Sequence, residues 1–523
     1  MTVESGCSIC GTNTLPHPRK NFSKHEKRQL QMQNEDCTPY YDLYRKKRFK
    51  QYSCSPIQKL NYWLAASIFL NAICLSMLMG FIRPSGYQDK QGALEDGGRS
   101  YVNGAGDSHL RYTNCSGQGR FEYDEINGGW CQCYSCFTGS ICSEIIHDCV
   151  INFDHGDPKM FEKYWSLHQN TVSAVLRGNE RMSYFSDKEA VCWFLEPSLA
   201  MEIKLMHKMI GNAVTEGHHI VVGTGSSQLI SAALYALSSL AHHRPVDVVS
   251  ASPFYSSYPP MTNFLESQLH HWAGDASSYK TSGQNAYIEL VTSPGNPDGM
   301  IHSAVVDGTG PVIYDLAYYW PHYTPITEAA DYDIMLFTVS KTTGHAGTRI
   351  GWALVRDIEV AKKMTKYIEL STIGVSKDSQ FRTAQILKGI RISYSDKAEN
   401  SREYDSNSQR RLFHFGYEQM DLRWRQLRHA IGNSQCFSVV DFPSGYCQFF
   451  EKNTRAHPAF AWLYCEMDED CHAVFKANGI LTRSGLHFGS SRKYIRISML
   501  DHDNVFQLFI DRVHQMASSC HKK

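Results

Sequence analysis

This chain has no charge bias. Its 52 Lys and Arg balance 52 Asp and Glu over 523 residues, which argues against a nucleic-acid binder, whose domain normally carries a basic excess. It also lacks an internal repeat at a solenoid period, which removes stacked-repeat architectures. Long charge-free apolar runs are few, and residues 60–82 (LNYWLAASIFLNAICLSMLMGFI) stand out among them. What remains is an ordinary globular composition, 42% hydrophobic and 20% charged, on a chain too long for a single core. Two or three folded units with tails are expected.

The run at 60–82 rises to roughly 30 Å or more as a helix, enough to cross a bilayer. Tyr62 and Trp63 at one end and Arg83 after the other suit a transmembrane helix better than a buried core helix. Before Leu60 there are 11 Lys and Arg against 5 Asp and Glu. That bias puts a polar, basic, disordered tail (1–59) in the cytosol and everything beyond Arg83 in the lumen or outside. Residues 83–112 are rich in glycine and charge and read as a linker. Cys115, Cys131, Cys133, Cys136, Cys142 and Cys149 then crowd into 35 residues. In a reducing compartment such a cluster would suggest zinc. On the lumenal side it reads as a small module (113–149) stapled by disulfides, because so short a segment has too little apolar surface to fold without them. In the tail, Cys7 and Cys10 lack a second pair to complete a metal site.

From about 150 to 520 the texture is α/β. PSLAMEIKLMHKMIGNAV (197–214) has helical spacing, HIVVGTG (219–225) is a buried strand running into glycines, and SSQLISAALYALSSLA (226–241) is a helix. The runs at 246–253, 286–294, 310–318, 333–341 and 349–355 continue the strands. Apolar strands with intervening helices predict a layered domain with a mainly parallel sheet. A polar surface insertion at 395–411, a strand at 494–500 and an amphipathic helix at 503–517 suit a smaller C-terminal α/β domain.

Such sheets gather their functional groups at the carboxyl ends of strands. Gly223-Thr224-Gly225-Ser226-Ser227-Gln228 opens a helix with free backbone N–H groups and hydroxyls, a phosphate cradle if its context supports one. Asp315 and Lys341 each end an apolar strand. A structural ion pair is the plain alternative, yet desolvation makes that a poor source of stability. An aldehyde cofactor requires an amine nucleophile, a carboxylate for its pyridine nitrogen, and cationic and amide donors for its phosphate, and this sequence offers all three.

The motifs VVGTGSSQL, VTSPGNPDG, DLAYYWPHYTPI, IMLFTVSKTTGHAGTRIGWALV and YIRISML resemble those of the plant tryptophan aminotransferase-related proteins and the related alliinases. Both are fold-type I pyridoxal 5′-phosphate (PLP) enzymes. The likeness runs from about Cys115 to the last helix, and the six-cysteine block resembles the EGF-like module that precedes alliinase catalytic domains. The resemblance implies the disulfides Cys115–Cys131, Cys133–Cys142, Cys136–Cys149 and Cys465–Cys471. It implies Lys341 as the Schiff-base lysine, Asp315 as partner of the pyridine nitrogen, and Asn296 and Tyr318 as partners of the phenolic oxygen. Ser226, Ser227, Ser340 and Arg349 would hold the phosphate, helped by Tyr184 from a second subunit of a homodimer. Tyr255 would stack on the ring, where on its own it would read as core packing, and Arg496 would grip only the substrate's carboxylate. One departure is Gly295, where relatives commonly carry Asn, which puts the local turn geometry in question.

Two reactions suit such a site: transamination of an L-amino acid, and the alliinase-type carbon–sulfur cleavage of an S-alkyl-L-cysteine sulfoxide. MSYFSD, DLAYYW, TGHAG and IGVSKDSQ look more like the aminotransferase branch. The expectation is therefore tryptophan to indole-3-pyruvate, as in auxin synthesis, with pyruvate as acceptor. A membrane-tethered recognition protein is the non-enzymatic alternative. The predicted setting is a single-pass protein of the endoplasmic reticulum with a lumenal catalytic domain, with the vacuole or cell exterior as the other secretory destinations.

Overall fold

The computed structural model describes residues 115–520 apart from 125, 127, 169–171, 242–244, 282–285, 396–410 and 433. The tail, the span expected at 60–82, the linker, and most of the polar insertion lie outside these. Among the described residues no helix is long and apolar enough to cross a membrane.

The large domain is built on a seven-stranded sheet: β1 (His219–Gly223), β2 (Val246–Ser250), β3 (His270–Asp275), β4 (Tyr287–Thr292), β5 (Val312–Asp315), β6 (Ile334–Thr338) and β7 (Gly351–Val355), in the spatial order β1-β7-β6-β5-β4-β2-β3. Every residue of β4, β6 and β7 is buried, as strands covered on both faces must be. The pairs are parallel except those of β7, which runs against both β6 and β1. The mainly parallel sheet is therefore as expected, and β7 is its reversed member. That reversal brings the residue before β7 to the edge reached by residues following the other strands.

Helices α1 (Pro197–Ile210), α2 (Gly225–Leu240), α3 (Ile358–Thr372) and α4 (Lys377–Ser393) belong to the large domain. Proline at its first position starts α1, and Gly211, left-handed at φ 74°, ends it. The helix thus stops short of the 214 read from its apolar spacing. The side chain of Asp357 accepts from the amides of Glu359 and Val360 to cap α3. α5 (Leu412–Ile431) and α6 (Asp503–Cys520) pack with the smaller sheet of β8 (Phe437–Val439), β9 (Phe460–Cys465), β10 (Arg483–Ser484) and β11 (Tyr494–Ser498), ordered β8-β9-β11-β10.

The cysteine module folds as an antiparallel hairpin of Gly119–Asp124 with Gly128–Cys133. Its disulfides join Cys115 to Cys131, Cys133 to Cys142 and Cys136 to Cys149, and Cys465 bonds Cys471, all as the resemblance implied. Cys436 with Cys520 is a further pair. The module is seated firmly on the smaller domain. Tyr134 stacks on His502 with centroids 3.5 Å apart. Arg512 of α6 donates to the carbonyls of Cys149 and Gly479, each at 2.7 Å. Ile151–Asn152, just past the module, pairs in parallel with Ile480–Leu481.

Candidate active site

A cavity of ≈ 390 Å³ lies at the carboxyl edge of the large sheet, closed on the other side by the smaller domain. Lys341 reaches it from a single helical turn, Val339–Thr342, that follows β6 directly. The hydroxyl of Thr338 caps that turn by accepting from the Ser340 amide at 3.2 Å. Lys341 Nζ donates to the carbonyl of Gly156 and lies 5.7 Å from the Tyr318 ring centre. Burial, then the charge of Arg496, lowers its pKa to about 8, so near neutrality an appreciable fraction is free amine.

Asp315 ends β5 with its carboxyl buried, and burial raises its pKa to about 6. The Ala317 amide donates to it at 3.2 Å and the Tyr258 hydroxyl at 3.5 Å. Tyr258 is fully buried and was not singled out from the sequence. Such an acid is stabilised by a cationic partner.

Across β6, Arg349 precedes the reversed β7 and arrives beside the opening of α2. Its guanidinium donates to Ala346 O at 3.0 Å and Thr224 O at 3.4 Å. Gly225 sits at φ +78°, and a Cβ there would stand 2.4 Å from Arg349 Nη2. The glycine is required both for its backbone and for the approach of the cation. Ser226, Ser227 and Ser340 line the same end of the cavity. Two seryl hydroxyls at a helix N-terminus, a third nearby and a guanidinium form a dianion cradle. Tyr255, Asn296 and the buried Tyr318 also line the cavity.

Arg496 of β11 is only 3% exposed. Its Nη1 donates to Asn296 Oδ1 at 3.1 Å and its Nη2 to the Asp154 carbonyl. Its face lies 4.2 Å from the Phe460 ring centre. The Asn296 bond ties Arg496 to the residue expected to hold the cofactor's phenolic oxygen. Asp154, His155, Gly156 and Arg483 also line the cavity and were missed. Asp154 to Gly156 follow a two-residue strand without periodicity, and Arg483 lies on another, so only their charges in INFDHGDP and LTRSG could have pointed to them.

Tyr184 is not among the residues lining its own chain's cavity and is 65% exposed. At Gly295 a Cβ would fall 1.9 Å from Asp298 Oδ1 and 2.9 Å from His302 Nε2. The space a larger residue would take is filled here by the Asp298–His302 pair, 2.9 Å apart, and Asn296 lines the cavity.

Residues 151–517 match the family described as Allinase. Tryptophan aminotransferase-related protein 2 of rice (Oryza sativa subsp. japonica) is 51% identical over 375 residues, 70% of this chain and 73% of that one. The protein of the same description from Arabidopsis thaliana is 51% identical over 369 residues, 70% of this chain and 81% of that one. Alliin lyase of Allium cepa is 36% identical over 398 residues, 74% of this chain and 81% of that one.

Proposed function

Because the chain belongs to the allinase family, whose cofactor is PLP, we propose that it is an aminotransferase converting L-tryptophan to indole-3-pyruvate, with pyruvate as acceptor. The residues present fit that cofactor. A buried amine of lowered pKa, a buried acid of raised pKa and a dianion cradle share one cavity, and Gly225 leaves the cradle the room a Cβ would fill. That convergence supports PLP chemistry at this cavity.

When bound, PLP supplies an aldehyde for the substrate's amino group and a conjugated ring that accepts the electron pair left by the α-proton. Lys341 Nζ would hold the aldehyde at rest, then take the α-proton and return it at the neighbouring carbon. Asp315 would keep the ring nitrogen protonated, and a cation there would bring its raised pKa down again. Asn296 and Tyr318 would hold the phenolic oxygen and Tyr255 the ring face. Arg349, Ser226, Ser227 and Ser340 would hold the phosphate. Arg496 would fix the α-carboxylate and so orient the α-hydrogen toward Lys341.

The same groups could serve β-elimination. Transamination is favoured by 51% identity to aminotransferase-related proteins against 36% to an alliin lyase. Assay of the purified, PLP-loaded full chain decides: tryptophan plus pyruvate should give indole-3-pyruvate and alanine. Release of pyruvate from an S-alkyl cysteine sulfoxide without transamination would assign the lyase instead.

We further propose a lumenal catalytic domain anchored by 60–82, supported by five disulfides suited to an oxidising compartment. In sealed microsomes the domain should resist added protease until detergent is present; digestion without detergent refutes this. The enzyme is also proposed to be a homodimer. Support comes from Val175, Met182 and Tyr184, 74%, 82% and 65% exposed on one segment, an apolar surface suited to a second subunit.

A further inference from the structure

We propose that Asp154, by occupying Arg483, sets the side-chain selectivity of this site: it admits amino and 2-oxo acids bearing one carboxylate and excludes those bearing two. The inference rests on Arg496 as the substrate's carboxylate partner.

The smaller sheet places Arg483 of β10 directly opposite Arg496 of β11, and both line the cavity. Like charges paired across strands repel. The pKa of Arg496 is held down to about 10, by burial first and by Arg483 next. Such a pair needs an anion, and Asp154 is that anion. Its Oδ1 accepts from Arg483 Nε at 2.5 Å, and its Oδ2 from Arg483 Nη2 at 3.3 Å. Oδ1 also lies 3.7 Å from Arg496 Nη2. Arg483 Nη1 is taken by Ser256 Oγ at 2.9 Å. Asp154 thus holds the Nε–Nη2 edge of Arg483 and Ser256 its Nη1, whereas the side chain of Arg496 bonds Asn296 and the Asp154 carbonyl.

Two guanidiniums and one carboxylate leave one net positive charge. That balances one substrate carboxylate, and the Nε–Nη2 edge of Arg483 that could grip a second one is already held by Asp154. Lys341, Arg349 and Asp315 are committed to the cofactor, so they do not alter the count. A second carboxylate would find Arg483 occupied and would face Asp154 at close range, and exclusion by repulsion selects as strongly as attraction. An indole side chain or the methyl group of pyruvate meets no such penalty.

The test uses PLP-loaded full chains, wild type and Asp154→Asn, titrated with indole-3-propionate as the one-carboxylate probe and glutarate as the two-carboxylate probe. Binding is read from the cofactor's absorbance band, and acceptor use from kcat/KM with pyruvate and 2-oxoglutarate. Asp154→Asn frees the Arg483 fork, so the affinity ratio should move toward glutarate by about tenfold or more, with 2-oxoglutarate gaining over pyruvate in parallel. Adding Arg483→Gln should abolish the gain. Asp154→Ser carries the same expectation should the Asn variant not load cofactor. An unmoved ratio in these variants, or a gain that survives Arg483→Gln, overturns the proposal. If the wild type fails to transaminate while the ratio moves as expected, the aminotransferase reading alone falls.

Discussion

At Arg496 one guanidinium meets Asn296 through Nη1 and the Asp154 carbonyl through Nη2, and its Nε stays unpartnered. Lysine cannot reproduce that planar fork. Arg496→Lys should therefore lower kcat/KM for the amino acid by at least about thirtyfold, the lower end of what breaking a buried charged pair costs. Because Asn296 loses its donor too, PLP affinity should fall modestly alongside, which separate titrations with amino acid and with PLP will resolve. Normal amino-acid turnover would remove Arg496 from the substrate site. Lys341 and Asp315 were legible in the sequence because each ends an apolar run, where the backbone alone delivers them to the sheet edge. Asp154 and Arg483 were not, because their pairing spans 329 positions and depends on two two-residue strands. Local pattern holds no record of such a contact.

The stretch 499–502 joins β11 to α6 and is tied to the segment that lines the cavity. Arg423 of α5, itself buried, donates to the carbonyls of Met499 and Asp501. The Asp501 carboxylate takes His155 Nε2 at 2.8 Å and Lys159 Nζ at 3.3 Å. Burial alone would raise Asp501, but His155 and Lys159 outweigh it and bring its pKa to about 2, from 3.8. A carboxyl depressed by folding contributes stability that is complete above the unfolded value and lost as pH falls through the folded one. Wild type should thus lose roughly 2 kcal/mol between about pH 4 and pH 2 through this group. Asp501→Asn should be less stable at neutral pH and flatter across that window in denaturant titrations; a slope equal to wild type would dismiss the assignment. At this scale the sequence disclosed buried strands and capped helices through apolar runs, proline and glycine. It did not disclose that β7 runs backward, since RIGWALV is equally apolar in either direction and its pairing is decided by partners far away in the chain.

For the molecule as a whole, the proposed dimer makes Tyr184 a contribution from one subunit to the other's phosphate site. Dimers mixed from Lys341→Ala and Tyr184→Phe chains test this directly. Each parent homodimer should bind PLP weakly or not at all as a Schiff base, the Tyr184→Phe form by roughly tenfold for a lost charge-assisted bond. The mixed dimer should regain one site of wild-type affinity, because the Lys341→Ala chain still lends an intact Tyr184. If mixing restores nothing, Tyr184 serves no partner. The cysteine module bears on the same architecture. Its stacked Tyr134, the grip of Arg512 on Cys149, and the Ile151–Ile480 pairing all join it to the smaller domain, which also carries Arg483 and Arg496. The module is therefore a handle on the substrate-facing wall. An antibody that restrains the module would thereby restrain the wall that carries Arg483 and Arg496.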